Sequence, residues 1–237
     1  DPLEFPGGTI GDLAVHGTVN DVACCGAKPR WLSLGMILEE GLPLATLRRV
    51  LDSVVRAAEV CGIEIVTGDT KVVGRGQATG MYLHTAGIGE RLPGFALDAS
   101  TIQVGDVVLV SGSLGDHGMA VMAAREGISG PEAVVSDCGP VHRLVLGLSE
   151  IAQDVRFLRD PTRGGLAAVL NEIVEERPFG VRLQESQVPF GQGARALAEV
   201  MGYDLLHSAS EGRLVVVCSA AVADRALECL RAWPEGR

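Results

Sequence analysis

Four short polar stretches interrupt otherwise apolar segments, and each carries a carboxylate. Thr18-Val19-Asn20-Asp21-Val22-Ala23 holds an Asx pair inside a run built for burial. Thr67-Gly68-Asp69-Thr70-Lys71 sets a carboxylate, a hydroxyl and an ammonium within five positions. Gly115-Asp116-His117-Gly118 follows Gly112, and Arg159-Asp160-Pro161-Thr162-Arg163-Gly164-Gly165 joins a carboxylate to guanidinium groups and paired glycines. Polar loops at the ends of apolar elements are where rigid scaffolds present functional groups. Asp21, Asp69 and Asp160 each suit Mg²⁺, a cation held by one or two carboxylates together with phosphate oxygens and water. Backbone amides at the glycine loops ahead of helices suit phosphate, Arg163 suits a phosphate contact, and Lys71 suits phosphate or proton transfer. Plainer readings stand beside these: a helix-capping or buried Asn20–Asp21 pair, a glycine turn with a solvated Lys71, a hydrogen-bonding His117, and an Asp160 salt bridge.

Two nucleotide signatures are missing. The sequence has no Gly-x-x-x-x-Gly-Lys-Ser/Thr, and Gly74-Arg75-Gly76-Gln77-Ala78-Thr79-Gly80 misses the dinucleotide spacing. A nucleotide would therefore need a different cradle, assembled from several acids and glycine loops.

The elements that must position these groups alternate. Thr9 to Cys25 reads as a helix with a small-residue face, Trp31 to Leu38 as a strand, and Pro43 to about Gly62 as an amphipathic helix. Ile63 to Val66 is predicted as a short strand stopping at Thr67, with Tyr82 to Ile88 the next. The aperiodic stretch from Glu90 to Gly105 marks a domain boundary, giving domains 1–95 and 103–237. Beyond it come a strand at Val107 to Val110, a helix through Arg125, a strand at Val155 to Leu158 and a helix to about Glu176. A helix from Gln192 to Met201, a strand at Leu214 to Cys218 and a helix from Ala220 to Ala232 follow. The pattern is that of a two-domain α/β or α+β protein.

At 237 residues and 47% apolar, the chain buries a substantial core. A net charge of −10 without a dense basic block argues against a nucleic-acid backbone partner. No apolar run approaches the roughly 18 residues that span a bilayer, and no signal-peptide pattern opens the chain. The six cysteines form no Cys-x-x-Cys pair and read as reduced cytoplasmic thiols. The opening Asp1-Pro2 and the loop-like Trp233-Pro234-Glu235-Gly236-Arg237 read as truncation at both ends.

Taken together, Phe5-Pro6-Gly7-Gly8-Thr9-Ile10-Gly11, Gly17 to Ala23, Ile37 to Pro43 and Thr67 to Val73 resemble the HypE family, the carbamoyl dehydratases of nickel–iron hydrogenase maturation. In the second half Gly112 to Gly118, Val135-Ser136-Asp137-Cys138, Arg159 to Gly165 and Ser210-Glu211-Gly212-Arg213-Leu214 fall in the family's order. The resemblance implies the two-domain fold of the aminoimidazole ribonucleotide synthetase superfamily, with an N-terminal domain whose strands form a homodimer and a C-terminal α/β sandwich. It implies ATP-dependent dehydration of a cysteine S-carboxamide to a thiocyanate that supplies the iron's cyanide ligand. ATP and Mg²⁺ are the implied cofactors, and the carbamoyltransferase HypF and the HypC–HypD complex the implied partners. Asn20, Asp21, Gly68, Asp69, Thr70, Gly115, Asp116, His117, Thr162, Arg163 and Gly164 become the expected nucleotide site. Lys71 and Glu211 match positions suited to orienting and deprotonating the thiocarboxamide; for Glu211 the plainer reading is a loop carboxylate paired with Arg213. Because the modified cysteine of the family is C-terminal and none of the six here is, this polypeptide by itself is expected not to turn over. The alternatives are a small-molecule kinase or synthetase of the same superfamily, or a non-catalytic maturation core.

Overall fold

A computed structural model describes residues 2–128 and 134–236. A small hairpin, β1 (Glu4–Phe5) and β2 (Gly8–Thr9), turns at Gly7, whose φ of 98° favours glycine. Thr9 then caps helix α1 (Ile10–Cys24) through a full capping box with Asp12. Strand β3 (Ala27–Glu39) follows, and helix α2 (Leu44–Cys61) ends on Gly62 in the left-handed conformation. Strands β4 (Glu64–Val73) and β5 (Met81–Arg91) complete a sheet of order β4-β3-β5, with β4 parallel and β5 antiparallel to β3.

One face of this sheet is closed and the other open. Leu32, Leu34 and Ile63 pack with Val15 and Val19 of α1 and Val54, Ala57 and Cys61 of α2. The alternate positions Trp31, Ile37, Tyr82 and Ile88 are exposed on the opposite face, as the period of two requires.

In the second half β6 (Val107–Val110), helix α3 (Asp116–Arg125), helix α4 (His142–Gly147) and β7 (Val155–Arg159) precede helices α5 (Gly165–Val174) and α6 (Gln192–Met201), strand β8 (Val215–Cys218) and helix α7 (Ala223–Arg231). The antiparallel order is β6-β8-β7, so the all-apolar β8 lies in the centre with both faces buried. Val216 and Cys218 pack under α4 and α7, in a core that also takes in Ala23 and Cys24 of α1 and Phe95 from the connection. Val215 and Val217 face Leu166, Val169 and Ile173 of α5. The C-terminal half is thus an α/β sandwich whose core runs on into the end of α1.

Two expectations change. Thr18 to Ala23 lies inside α1 and is no loop, and Thr67 to Lys71 lies in mid-strand, because β4 runs on to Val73 in register with β3. Parallel pairing with β3 overrides the strand-breaking tendency of Gly68 and Asp69. Helix α4 and the 3₁₀ turn at Leu148–Asp154 have no counterpart in the periodicity analysis.

Candidate functional site

The C-terminal end of α1 abuts the end of β7 and the segment Ser208–Arg213, and most of the expected acids converge on this seam. Asp21 stands in the last turn of α1, which carries no basic residue, against the helix macrodipole. Local preference does not explain a carboxylate there. Asp160, just past β7, is buried to 3% exposure, and burial together with the Asp21 charge pushes its carboxyl up to about 6. Burial also raises Asp21, while Arg159 and Arg163 oppose the shift.

Glu211 is the most perturbed carboxyl of the group. Burial, then the charges of Asp160, Asp137 and Asp21, raise it to about 8, with Arg163 opposing. Arg213 pairs with Asp137 at 3.6 Å, which removes the expected Glu211–Arg213 pair. Among the described residues Asp160, Arg163 and Glu211 make no ion pair, so the Asp160 salt bridge is absent too. The arrangement is a set of like-charged carboxylates partly withdrawn from water beside two exposed guanidiniums, Arg159 and Arg163. It is suited to a divalent cation and to a carboxyl that exchanges protons near neutral pH.

Asn20 sits behind this group and is fully buried. Its Nδ2 donates to the carbonyls of Gly139 (3.0 Å) and Glu211 (3.2 Å), and its Oδ1 accepts from Val141 N (2.8 Å). These bonds tie the two halves of the molecule together.

The glycine loop at α3 is also largely engaged. Gly115 caps the helix with a φ of 84°, its N–H donates to Ser210 Oγ (2.8 Å), and Gly118 N donates to the Ala209 carbonyl. Asp116 accepts from Ser113 Oγ (2.6 Å). His117 bonds Ser136 Oγ through Nδ1 (2.9 Å), meets Phe5 edge-on, and is held neutral by burial, which lowers it to about 4. Thr162 bridges Asp160 and Gly165 through its backbone, and Gly164, at a φ of 77°, caps α5.

Gly68, Asp69, Thr70 and Lys71 lie apart from the seam on edge strand β4. Asp69 and Lys71 stand opposite Gly35 and Ile37, on the open face of the sheet, and among the described residues Asp69 bonds only its neighbour Thr70 N. Among the described residues no three His, Cys, Asp or Glu side chains lie close enough to hold a metal by themselves. Mg²⁺ does not demand that, since water and phosphate fill most of its shell. A cavity of about 920 Å³ runs along β6 beneath Phe179 to Pro189 and includes none of these residues. Sequence reasoning assigned no role to Asp137 or to His16, whose Nδ1 lies 3.6 Å from Cys138 Sγ; a lone loop acid and a helical histidine give no periodic signal.

The N-terminal and C-terminal domain models of AIR synthase related protein match residues 1–90 and 103–236. Carbamoyl dehydratase HypE of Azotobacter vinelandii is 46% identical over 236 residues, covering 100% of this chain and 69% of its own. A crystal structure of the hydrogenase maturation protein HypE in complex with ATP superposes with a TM-score of 0.95 at 46% identity, covering 100% of this chain and 70% of that one. A HypE–HypF complex gives 0.97 at 42% identity, covering 100% and 77%. The chain belongs to the carbamoyl dehydratase HypE family of hydrogenase maturation proteins.

Proposed function

We propose that this protein uses ATP to dehydrate a cysteine-borne thiocarboxamide to a thiocyanate, the source of the cyanide ligand of hydrogenase iron. The observation that carries the reading is the raised carboxyl of Glu211, held beside Asp160 and Asp21 in the seam. The reaction must remove two N–H protons from the thiocarboxamide and convert its oxygen to a leaving group.

ATP, when bound, supplies the phosphoryl group that makes this oxygen a leaving group. Asp21 and Asp160 would hold Mg²⁺, a role their mutual repulsion supports. Arg163 would face phosphate, and Glu211 would take one N–H proton, with Lys71 the candidate acceptor of the other. Asp21 and Asp160 are among the charges that raise the Glu211 carboxyl, and a cation held there would offset them and favour its basic form.

Lys71 and Asp69 do not meet Glu211 within one protomer. The open sheet face, with Trp31, Ile37, Tyr82 and Ile88 exposed, supports a homodimer in which β4 of a second copy brings Asp69 and Lys71 to the nucleotide. HypF would supply the carbamoyl group, as the complex of a 42% identical relative suggests; the HypC–HypD complex would take the cyanide. The reaction belongs in the cytoplasm, and no helix among the described residues is long and apolar enough to cross a membrane.

Mass spectrometry of the full-length protein incubated with the carbamoyltransferase, carbamoyl phosphate and Mg-ATP tests the reading. The expected result is gain of one carbamoyl mass followed by loss of water. A carbamoylated protein that never loses water contradicts it.

A further inference from the structure

Behind Glu211 runs the segment Ser136–Val141, laced to both halves of the molecule. Ser136 N donates to the Pro6 carbonyl and Cys138 N to Ser136 Oγ, while Gly139 and Val141 are tied to Asn20 of α1. The peptide of Glu211 is held at both ends by this assembly. Its N–H donates to Asp137 Oδ1 (3.0 Å), and its carbonyl accepts from Asn20 Nδ2 (3.2 Å) and Gly139 N (3.5 Å).

The Asp137 side chain is 1% exposed. Its second oxygen, Oδ2, makes no hydrogen bond and lies 3.6 Å from Arg213 Nε, which donates instead to the Ser113 carbonyl at 2.8 Å. Asp116 adds a further like charge nearby. Burying a carboxylate is unfavourable unless its oxygens are matched, and the hydrogen bond this one accepts from outside its own residue comes from the Glu211 N–H. The close approach depends on Gly212, where a Cβ would collide with the Asp137 carbonyl oxygen.

We propose that Asp137 is a positioning residue for Glu211: by accepting the Glu211 N–H it fixes where that carboxyl stands in the seam, with Asn20 as its counterpart from α1. The inference rests on the reading of Glu211 as the base. Its mechanism is geometric. A misplacement of about 1 Å in a group that exchanges protons with substrate costs on the order of 10²-fold in rate, and nucleotide binding at Asp21 and Asp160 need not change.

The test compares full-length Asp137→Ala, Asp137→Asn and Glu211→Gln in single-turnover dehydration, with thermal unfolding recorded for each. Asp137→Ala is expected to lower kcat about 10- to 100-fold with KM for ATP within about twofold. Asp137→Asn keeps an acceptor for the Glu211 N–H while losing the Arg213 pair, so its kcat is expected to return to within about threefold of native. Native kcat in a folded Asp137→Ala overturns the proposal. So does an Asp137→Asn protein that unfolds like native yet is as slow as a Glu211→Gln enzyme, and this variant decides the matter if the alanine protein does not fold. Full activity in Glu211→Gln would instead defeat the assignment of the base, whatever Asp137 does.

Discussion

The seam and the open sheet face both carry motif residues, yet they are built in opposite ways. In the seam Asp21, Asp160 and Glu211 arrive from three separate stretches of chain, lose part of their water and push on one another's protons. On β4 Asp69 and Lys71 lie in a single strand, exposed, with only a local bond from Thr70 to Asp69. Burial and like charge have already tuned the first set within one chain. The second set gains such surroundings only when another surface covers the sheet. On the proposed reading, the difference separates a half-site that the protomer completes by itself from one that a second copy completes.

The most severe way to break the comparison is to remove a seam acid. Asp21→Asn is expected to lower turnover by about 10²-fold or more and to raise the Mg²⁺ concentration needed for half-maximal rate. Steady-state rates across a Mg²⁺ titration read this out, and an unchanged titration would make the seam structural. A somewhat smaller loss, on the order of 10²-fold, is expected for Lys71→Ala, whose exposed position leaves folding intact. On the proposed dimer, Ile88→Lys should leave a monomer in sedimentation and reduce turnover with it. A monomer with native turnover would show that β4 needs no second copy. Mixing Lys71→Ala with Glu211→Gln protein sharpens the point, since mixed dimers carry one intact composite site and should regain activity.

Stability against pH gives a smaller but cleaner signature. The Glu211 carboxyl, raised to about 8 in the folded state, binds its proton more tightly there than in the unfolded chain. Stability therefore falls as pH rises from the ordinary glutamate range through about 8. Glu211→Gln removes this loss, so it should be more stable than native at pH 9, by about 2 kcal/mol after discounting partial exposure, and little different at pH 4.5. His117 and His142, both lowered to about 4 by burial, act in the other direction. The unfolded chain takes up their protons first, so stability falls as pH drops from 6.5 toward 4. Denaturant unfolding at several pH values separates the two trends. Least in effect, Thr9→Ala removes the cap of α1, far from both regions, and is expected to cost about 1 kcal/mol while sparing turnover.

Much of this was legible in the sequence, for identifiable reasons. The amphipathic stripe of α2 and its Gly62 stop, the four-residue strand Val107–Val110 and the helix Gln192–Met201 emerge where the periodicity predicts. Strand β4 does not, because its middle is held by register with β3, and long-range pairing leaves no local trace. The combined motifs point to Asp21, Asp160 and Glu211, yet their convergence is a tertiary fact that no spacing encodes. Asn20 illustrates the reverse: its residue type suits a ligand, but three backbone partners consume its amide. Asp137 went unassigned because its importance lies in a hydrogen bond to a residue 74 positions away.

The central claim, that Glu211 in the seam takes a proton from the thiocarboxamide, is tested most directly by single-turnover mass spectrometry. Full-length Glu211→Gln protein, carbamoylated beforehand and then given Mg-ATP, is predicted to bind nucleotide like native and to keep its carbamoyl mass. Loss of water at the native rate would contradict the account.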